Sequence, residues 1–157
     1  MKVIGIDPGL AATGVGIVWG HGMDVEGYAF GSIATPQSDP LARRLERIYT
    51  KLHAILQRET PDQMIVEDVF SLDKYPQSGI TLGKVTGVIL LAGCHVGVAI
   101  REIPVREAKQ VLTGNGNASK RQLEKAVRHN LGHAQPIRPD HASDALGLAL
   151  IGLYRQA

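Results

Sequence analysis

Three acids stand where a carboxylate could do chemistry. Asp7 closes the short apolar run Val3-Ile4-Gly5-Ile6 and precedes the turn signal Pro8-Gly9. Glu67 closes a second run that begins at Gln63. Asp144 interrupts the apolar stretch Ala142-Ser143-Asp144-Ala145-Leu146-Gly147-Leu148. In mixed α/β sheets, strand ends are where side chains converge on a ligand. A carboxylate in an apolar helix face is costly unless it is paired or binds a metal. If the three side chains meet, their repulsion demands cations. Oxygen ligands at that density suit Mg²⁺ or Mn²⁺. Two such ions, held by shared carboxylates, can activate a water and stabilise the leaving oxygen of a phosphodiester. Taken singly, each acid has an ordinary reading. Asp7 can order a turn, and Asp144 can sit on a helix surface.

Charge placement adds to this. The chain is +2 overall, with histidines neutral. Between Arg101 and Arg138 lie Arg101, Arg106, Lys109, Lys120, Arg121, Lys125, Arg128 and Arg138 against only Glu102, Glu107 and Glu124, a local +5. A basic block beside scattered acids suits a protein that holds a polyanion and does metal chemistry on it. The plain alternative is a solvated helix face. Lys109 and Lys120 flank the loop Gly114-Asn115-Gly116-Asn117 and can neutralise phosphates there. Arg121 and Lys125 are their neighbours.

These residues must be positioned by a folded scaffold. A length of 157 residues fits one domain, and 44% hydrophobic with 20% charged residues excludes disorder for the chain as a whole. Cys94 is the only cysteine, which excludes an intrachain disulfide and a thiolate zinc cluster and suits a reducing compartment. The uncharged stretch from Val85 to Ile100 is too short to span a bilayer comfortably. The N-terminus runs directly into a strand pattern without a secretory signal, so a cytoplasmic location is expected.

The patterns predict strands over 3–7, 14–19 and 25–33, joined as an antiparallel meander. A helix follows, with Asp39 as N-cap and Pro40 in its first position, and stops before Pro61. Then come a strand over 63–66, a long helix over 77–96, a strand over 98–103 and a short helix from Pro104. A basic helix capped by Ser119 or Asn117 runs to Leu131, and a last helix covers 140–154. The order βββ-α-β-α-β-α-α-α predicts an α/β fold, a mixed five-stranded sheet with helices on both faces. Gly79, Gly83 and Gly87 make a stripe without side chains on the long helix, suited to close packing on the protein's own sheet or on a second copy.

The motifs resemble the RuvC family of bacterial Holliday junction resolvases. Ile4-Gly5-Ile6-Asp7-Pro8-Gly9 with Thr13-Gly14 is similar to its opening, and Val66-Glu67-Asp68-Val69-Phe70 to its second motif. Leu82-Gly83-Lys84 with Gly87 resembles its central helix, Lys109-Gln110 and Ser119-Lys120 its basic segment, and His141-Ala142-Ser143-Asp144-Ala145-Leu146 its last motif. The resemblance implies a ribonuclease H-like fold, one nuclease domain over 1–157, and paired symmetric nicking of four-way DNA junctions in recombination and repair. It implies two Mg²⁺ ions per active site with Mn²⁺ as substitute, and cooperation with the RuvA–RuvB branch-migration complex. It makes Asp7, Glu67, His141 and Asp144 catalytic metal ligands and turns Phe70, Lys109 and Lys120 toward DNA; beside these, Arg121 is expected to bind DNA as the neighbour of Lys120, and Tyr75 to assist Phe70 from the same loop. It makes the Gly79, Gly83 and Gly87 helix the contact of a homodimer. Many members carry Asp at the position of His141, and some carry His. Asp140 is a rival fourth ligand, read here as the helix cap. Another ribonuclease H-like nuclease and a non-catalytic junction-binding protein are the competing readings.

Overall fold

A computed structural model describes residues 1–68 and 76–155. The chain opens with β1 (Lys2–Asp7), β2 (Ala12–His21) and β3 (Asp24–Ala34), paired as the antiparallel meander. Next come α1 (Leu41–Glu59), β4 (Gln63–Glu67), α2 (Pro76–Val96) and β5 (Ala99–Ile103). Helices α3 (Val105–Thr113), α4 (Lys120–Leu131) and α5 (Asp140–Tyr154) complete it. The sheet order is β3-β2-β1-β4-β5, with β1, β4 and β5 parallel. That is the predicted mixed sheet.

Side chains alternate across β1. Ile4 and Ile6 join Ile48, Leu52, Leu56, Val85 and Ile89 in a core beneath α1 and α2. Val3 joins Leu123, Val127, Leu146, Leu148 and Leu150 in the opposite core, beneath α3, α4 and α5. Gly5 and Asp7 share the Val3 face, so Asp7 projects on the side where α5 packs.

Glycines decide how closely α5 packs. A Cβ built on Gly5 would stand 2.0 Å from the Ala145 carbonyl oxygen, and one on Gly14 would stand 2.0 Å from that of His141. One on Gly16 would reach 2.5 Å from the Leu146 amide nitrogen. Only strands lacking side chains at these points let the backbone of α5 rest on β1 and β2.

Two capping expectations are corrected. Pro40, extended at φ −63° and ψ 152°, occupies the α1 cap position, and no side chain caps the helix. Asp39 is one residue too early, and its amide goes to the Pro36 carbonyl. At α5 the cap position belongs to Pro139, so Asp140 is the first helical residue and not the cap. The Arg138 guanidinium holds the Asp140 carboxylate at 2.6 Å instead. Ser119 does cap α4, in a reciprocal box with Gln122.

Helix α2 is apolar and continuous through Lys84. Its stretch Gln77–Val96 is long and apolar enough to cross a membrane by length and composition, although the uncharged segment read from sequence is shorter. Most of that stretch is not buried within this chain.

Candidate active site

The register of the two parallel central strands brings the first two acids together. Ile6 pairs with Val66, so the next residues, Asp7 and Glu67, leave the sheet side by side. Helix α5, seated on Gly14 and Gly16, adds His141 and Asp144 from above. His141 and Asp144 are three residues apart and share a helical face. His141 Nδ1 lies 2.6 Å from Asp7 Oδ2. The loop after β1 is fixed by Thr13, fully buried, whose hydroxyl donates to the Gly9 carbonyl at 2.8 Å.

The electrostatics are those of crowded anions. Burial, a hydrogen bond shared with Asp7, and the charges of Asp7 and Asp144 push the Glu67 carboxyl up to about 9. Burial and the Asp7 charge push Asp144 up to about 6, against the opposing pull of Lys120, His141 and Lys109. The hydrogen bond to Asp7 raises His141, against its partial burial. Lys120 Nζ stands 3.8 Å from Asp144 Oδ2. Both candidate DNA lysines therefore act on the acid cluster itself, which sequence spacing alone did not indicate.

Among the described residues, no three metal-ligating side chains are grouped tightly enough to grip an ion as they stand. Asp7 is engaged by His141 and Glu67 instead. The donor set nevertheless fits a hard divalent cation. It offers three carboxylates and an imidazole, and two of its carboxyls are held protonated more strongly than water would hold them. A cation between them would offset the repulsion that now raises Glu67 and Asp144.

Asp140, the rival ligand, is exposed and turned to Arg138. His141 is the residue that meets Asp7. Arg121 lines a cavity beside Asp144, with Lys120 on the same wall, whereas Lys125 borders a different pocket with Leu112 and His129. Phe70 and Tyr75 lie outside the described residues. Gly83 and Gly87 are exposed on α2, where an added Cβ would meet nothing, and Gly79 is half-buried. Sequence reasoning missed the roles of Thr13 and of the three glycine seats. Glycines inside apolar strands were the available signal, since they mark close backbone approach.

The sheet order, with acids at the ends of β1 and β4 and at the start of α5, defines the ribonuclease H-like class of folds. Within that class the chain belongs to the RuvC family, whose profile, described as crossover junction endodeoxyribonuclease RuvC, matches residues 3–152. A crossover junction endodeoxyribonuclease RuvC from Syntrophomonas wolfei is 37% identical over 154 residues, covering 98% of this chain and 89% of that one. One from Chloroflexus aggregans is 38% identical over 154 residues, covering 98% and 93%. Among solved structures, Thermus thermophilus RuvC in complex with a Holliday junction substrate superposes with a TM-score of 0.92 at 30% identity. That match covers 99% of this chain and 94% of that one. The yeast mitochondrial Holliday junction resolvase Ydc2, at 11% identity and a TM-score of 0.63, shares the fold.

Proposed function

We propose that this chain is a divalent-metal-dependent endodeoxyribonuclease that resolves four-way DNA junctions by paired symmetric nicks, in homologous recombination and repair. The observation that carries this reading is the convergence of Asp7, Glu67, His141 and Asp144 at one end of the sheet, in a chain that belongs to the RuvC family. Nucleases of this family depend on divalent metal ions.

Asp7, Glu67, Asp144 and His141 would hold the ions, two Mg²⁺ with Mn²⁺ able to substitute. Those ions supply an activated water and charge neutralisation at the leaving oxygen. Lys109 and Lys120 then draw backbone phosphates to the acids and offset the negative charge around Asp144. Phe70 stacks on an unpaired base near the crossover, with Tyr75 beside it. Replacing a fourth carboxylate by His141 removes one negative charge and favours Mn²⁺, which accepts imidazole more readily than Mg²⁺.

One nuclease domain accounts for residues 1–157. Two copies paired through the Gly79, Gly83 and Gly87 face of α2 would present two sites with the two-fold symmetry of the junction. The cytoplasm and the RuvA–RuvB complex complete the reading.

The test is a nicking assay on a synthetic four-way junction, an RNA–DNA hybrid and a linear duplex, with Mg²⁺ or Mn²⁺. Paired nicks confined to the junction are expected. Preference for the hybrid would make this another ribonuclease H-like hydrolase. Junction binding without nicking under either metal would make it a binding protein.

A further inference from the structure

We propose that the cavity between α4 and the start of α5 is a second phosphate site, which takes the phosphodiester flanking the scissile one. Arg138 and Arg121 are its cations, and Ser143 is its neutral donor. This rests on the resolvase reading above and deepens it. The cavity holds about 560 Å³, and Lys120, Arg121, Arg128 and Arg138 line it together with Ser143 and Asp144.

The charges in its wall are unequally committed. Lys120 faces Asp144 at 3.8 Å. Arg128 Nε holds Glu124 at 3.2 Å, and Glu124 also accepts from the Ile137 amide at 3.1 Å. That pair is structural. Arg138 spends Nη1 on Asp140 at 2.6 Å and is otherwise 75% exposed, which leaves other N–H groups of its guanidinium for a second anion. Arg121 has no acidic partner among the described residues. Each carboxylate in the wall thus faces a cation, and cationic donors remain.

Ser143 supplies the independent observation. It is 2% exposed, and its hydroxyl makes no hydrogen bond among the described residues. A buried polar group left unpaired costs on the order of 1–3 kcal/mol. The Oγ itself is closed to solvent, so serving an anion in the cavity that its residue lines takes a rotation about χ1, by which the hydroxyl would gain the partner it lacks. Asp144 and Lys120 belong to both the acid cluster and the cavity wall. A strand with one phosphate on the acids therefore passes its neighbouring phosphate to Arg138 and Arg121.

The test pairs protein variants with a substrate change. Junction affinity is measured across salt for wild type, Arg138→Gln and Ser143→Ala. Wild type and Arg138→Gln are also tested on junctions carrying a neutral methylphosphonate at either phosphate flanking the cut. Arg138→Gln is expected to weaken binding on the order of ten-fold, the worth of one charge-assisted hydrogen bond. It should also lower the salt slope by about 0.9. One of the two methylphosphonates should cost wild type a similar factor and cost Arg138→Gln little more. Ser143→Ala should raise the thermal midpoint, because it removes the unpaired hydroxyl, and yet bind the junction several-fold more weakly. A wild-type salt slope in Arg138→Gln, or fully additive losses with both methylphosphonates, would overturn the flanking-phosphate site while wild type still cuts. Equal relief of both variants' defects by inorganic phosphate alone would assign the cavity to a free anion and overturn it too. A wild type that neither binds nor cuts junctions would remove the resolvase reading, and this site with it.

Discussion

Helices α5 and α2 read alike in sequence and are used in opposite ways. Both are long, apolar and nearly free of charge. Every residue of α5 from Ala142 to Leu153 is buried, between the sheet on one side and α3 and α4 on the other. Helix α2 buries Val85, Ile89 and Ala92 against α1 and the sheet but exposes Ile80 at 61% and Leu91 at 48%. Glycine separates the two cases. Beneath α5, glycines are in the strands, and each carries a backbone that nothing larger would admit. On α2 they are in the helix, where Gly93 packs on Met64 and Ile100 of the sheet but the space above Gly83 and Gly87 is open. One apolar helix is finished by its own chain, while the other leaves apolar side chains and two of its glycines uncovered.

The largest effect is expected at the chemical end of α5. Asp144→Asn should lower single-turnover junction cleavage by about 10³-fold while junction binding persists, and Asp7→Asn and Glu67→Gln should do the same. Near-normal cleavage by any one of them would take that residue out of the site.

Next in size are the glycine seats. Gly14→Ala forces a Cβ onto the His141 carbonyl, and overpacking of this kind costs about 1–3 kcal/mol. It should lower the denaturant midpoint and slow cleavage together, because it lifts His141 from Asp7. Gly83→Ala adds the same methyl to open space in a helix interior and should raise folding stability by about 0.5–1 kcal/mol. Equal stability losses in the two variants would erase the distinction between the helices.

A bulkier change on α2 probes its proposed partner. Gly83→Leu should leave the monomer folded but shift sedimentation from two chains to one at micromolar concentration. A wild-type protein that sediments as a single chain would leave the exposed face unexplained by dimerisation.

The smallest effect is on pH. Glu67, Asp144 and His141 all bind protons more tightly in the folded chain than their ordinary values allow. Folding is therefore favoured by protonation, and this contribution is complete only below the unfolded values. It is lost as pH rises through the folded ones, near 6 for Asp144 and near 9 for Glu67. The thermal midpoint of metal-free protein should fall from pH 5 to pH 9, and Glu67→Gln should flatten the upper part of that fall. Added Mg²⁺ or Mn²⁺ should raise the midpoint more at pH 8.5 than at pH 5.5.

Much of this molecule is legible from one chain of letters. Apolar periodicity, Pro and Gly punctuation and the acids after Ile6 and Val66 place the elements and put Asp7 and Glu67 at strand ends, because those signals are local. The choice between Asp140 and His141 is not local. Both lie within reach of Asp144 along the helix, and only the seating of α5 on Gly14 decides that His141 meets Asp7 while Asp140 turns out to Arg138. The same holds for Lys120, a DNA-facing lysine by sequence that the α4–α5 packing brings to Asp144. Ser143, one more small residue in an apolar run, becomes a buried unpaired hydroxyl only when that packing closes over it. Sequence determines which segments form elements and which residues end them. Tertiary structure alone decides which ends meet and which apolar face stays open, because both depend on register and backbone approach between separate segments of the chain.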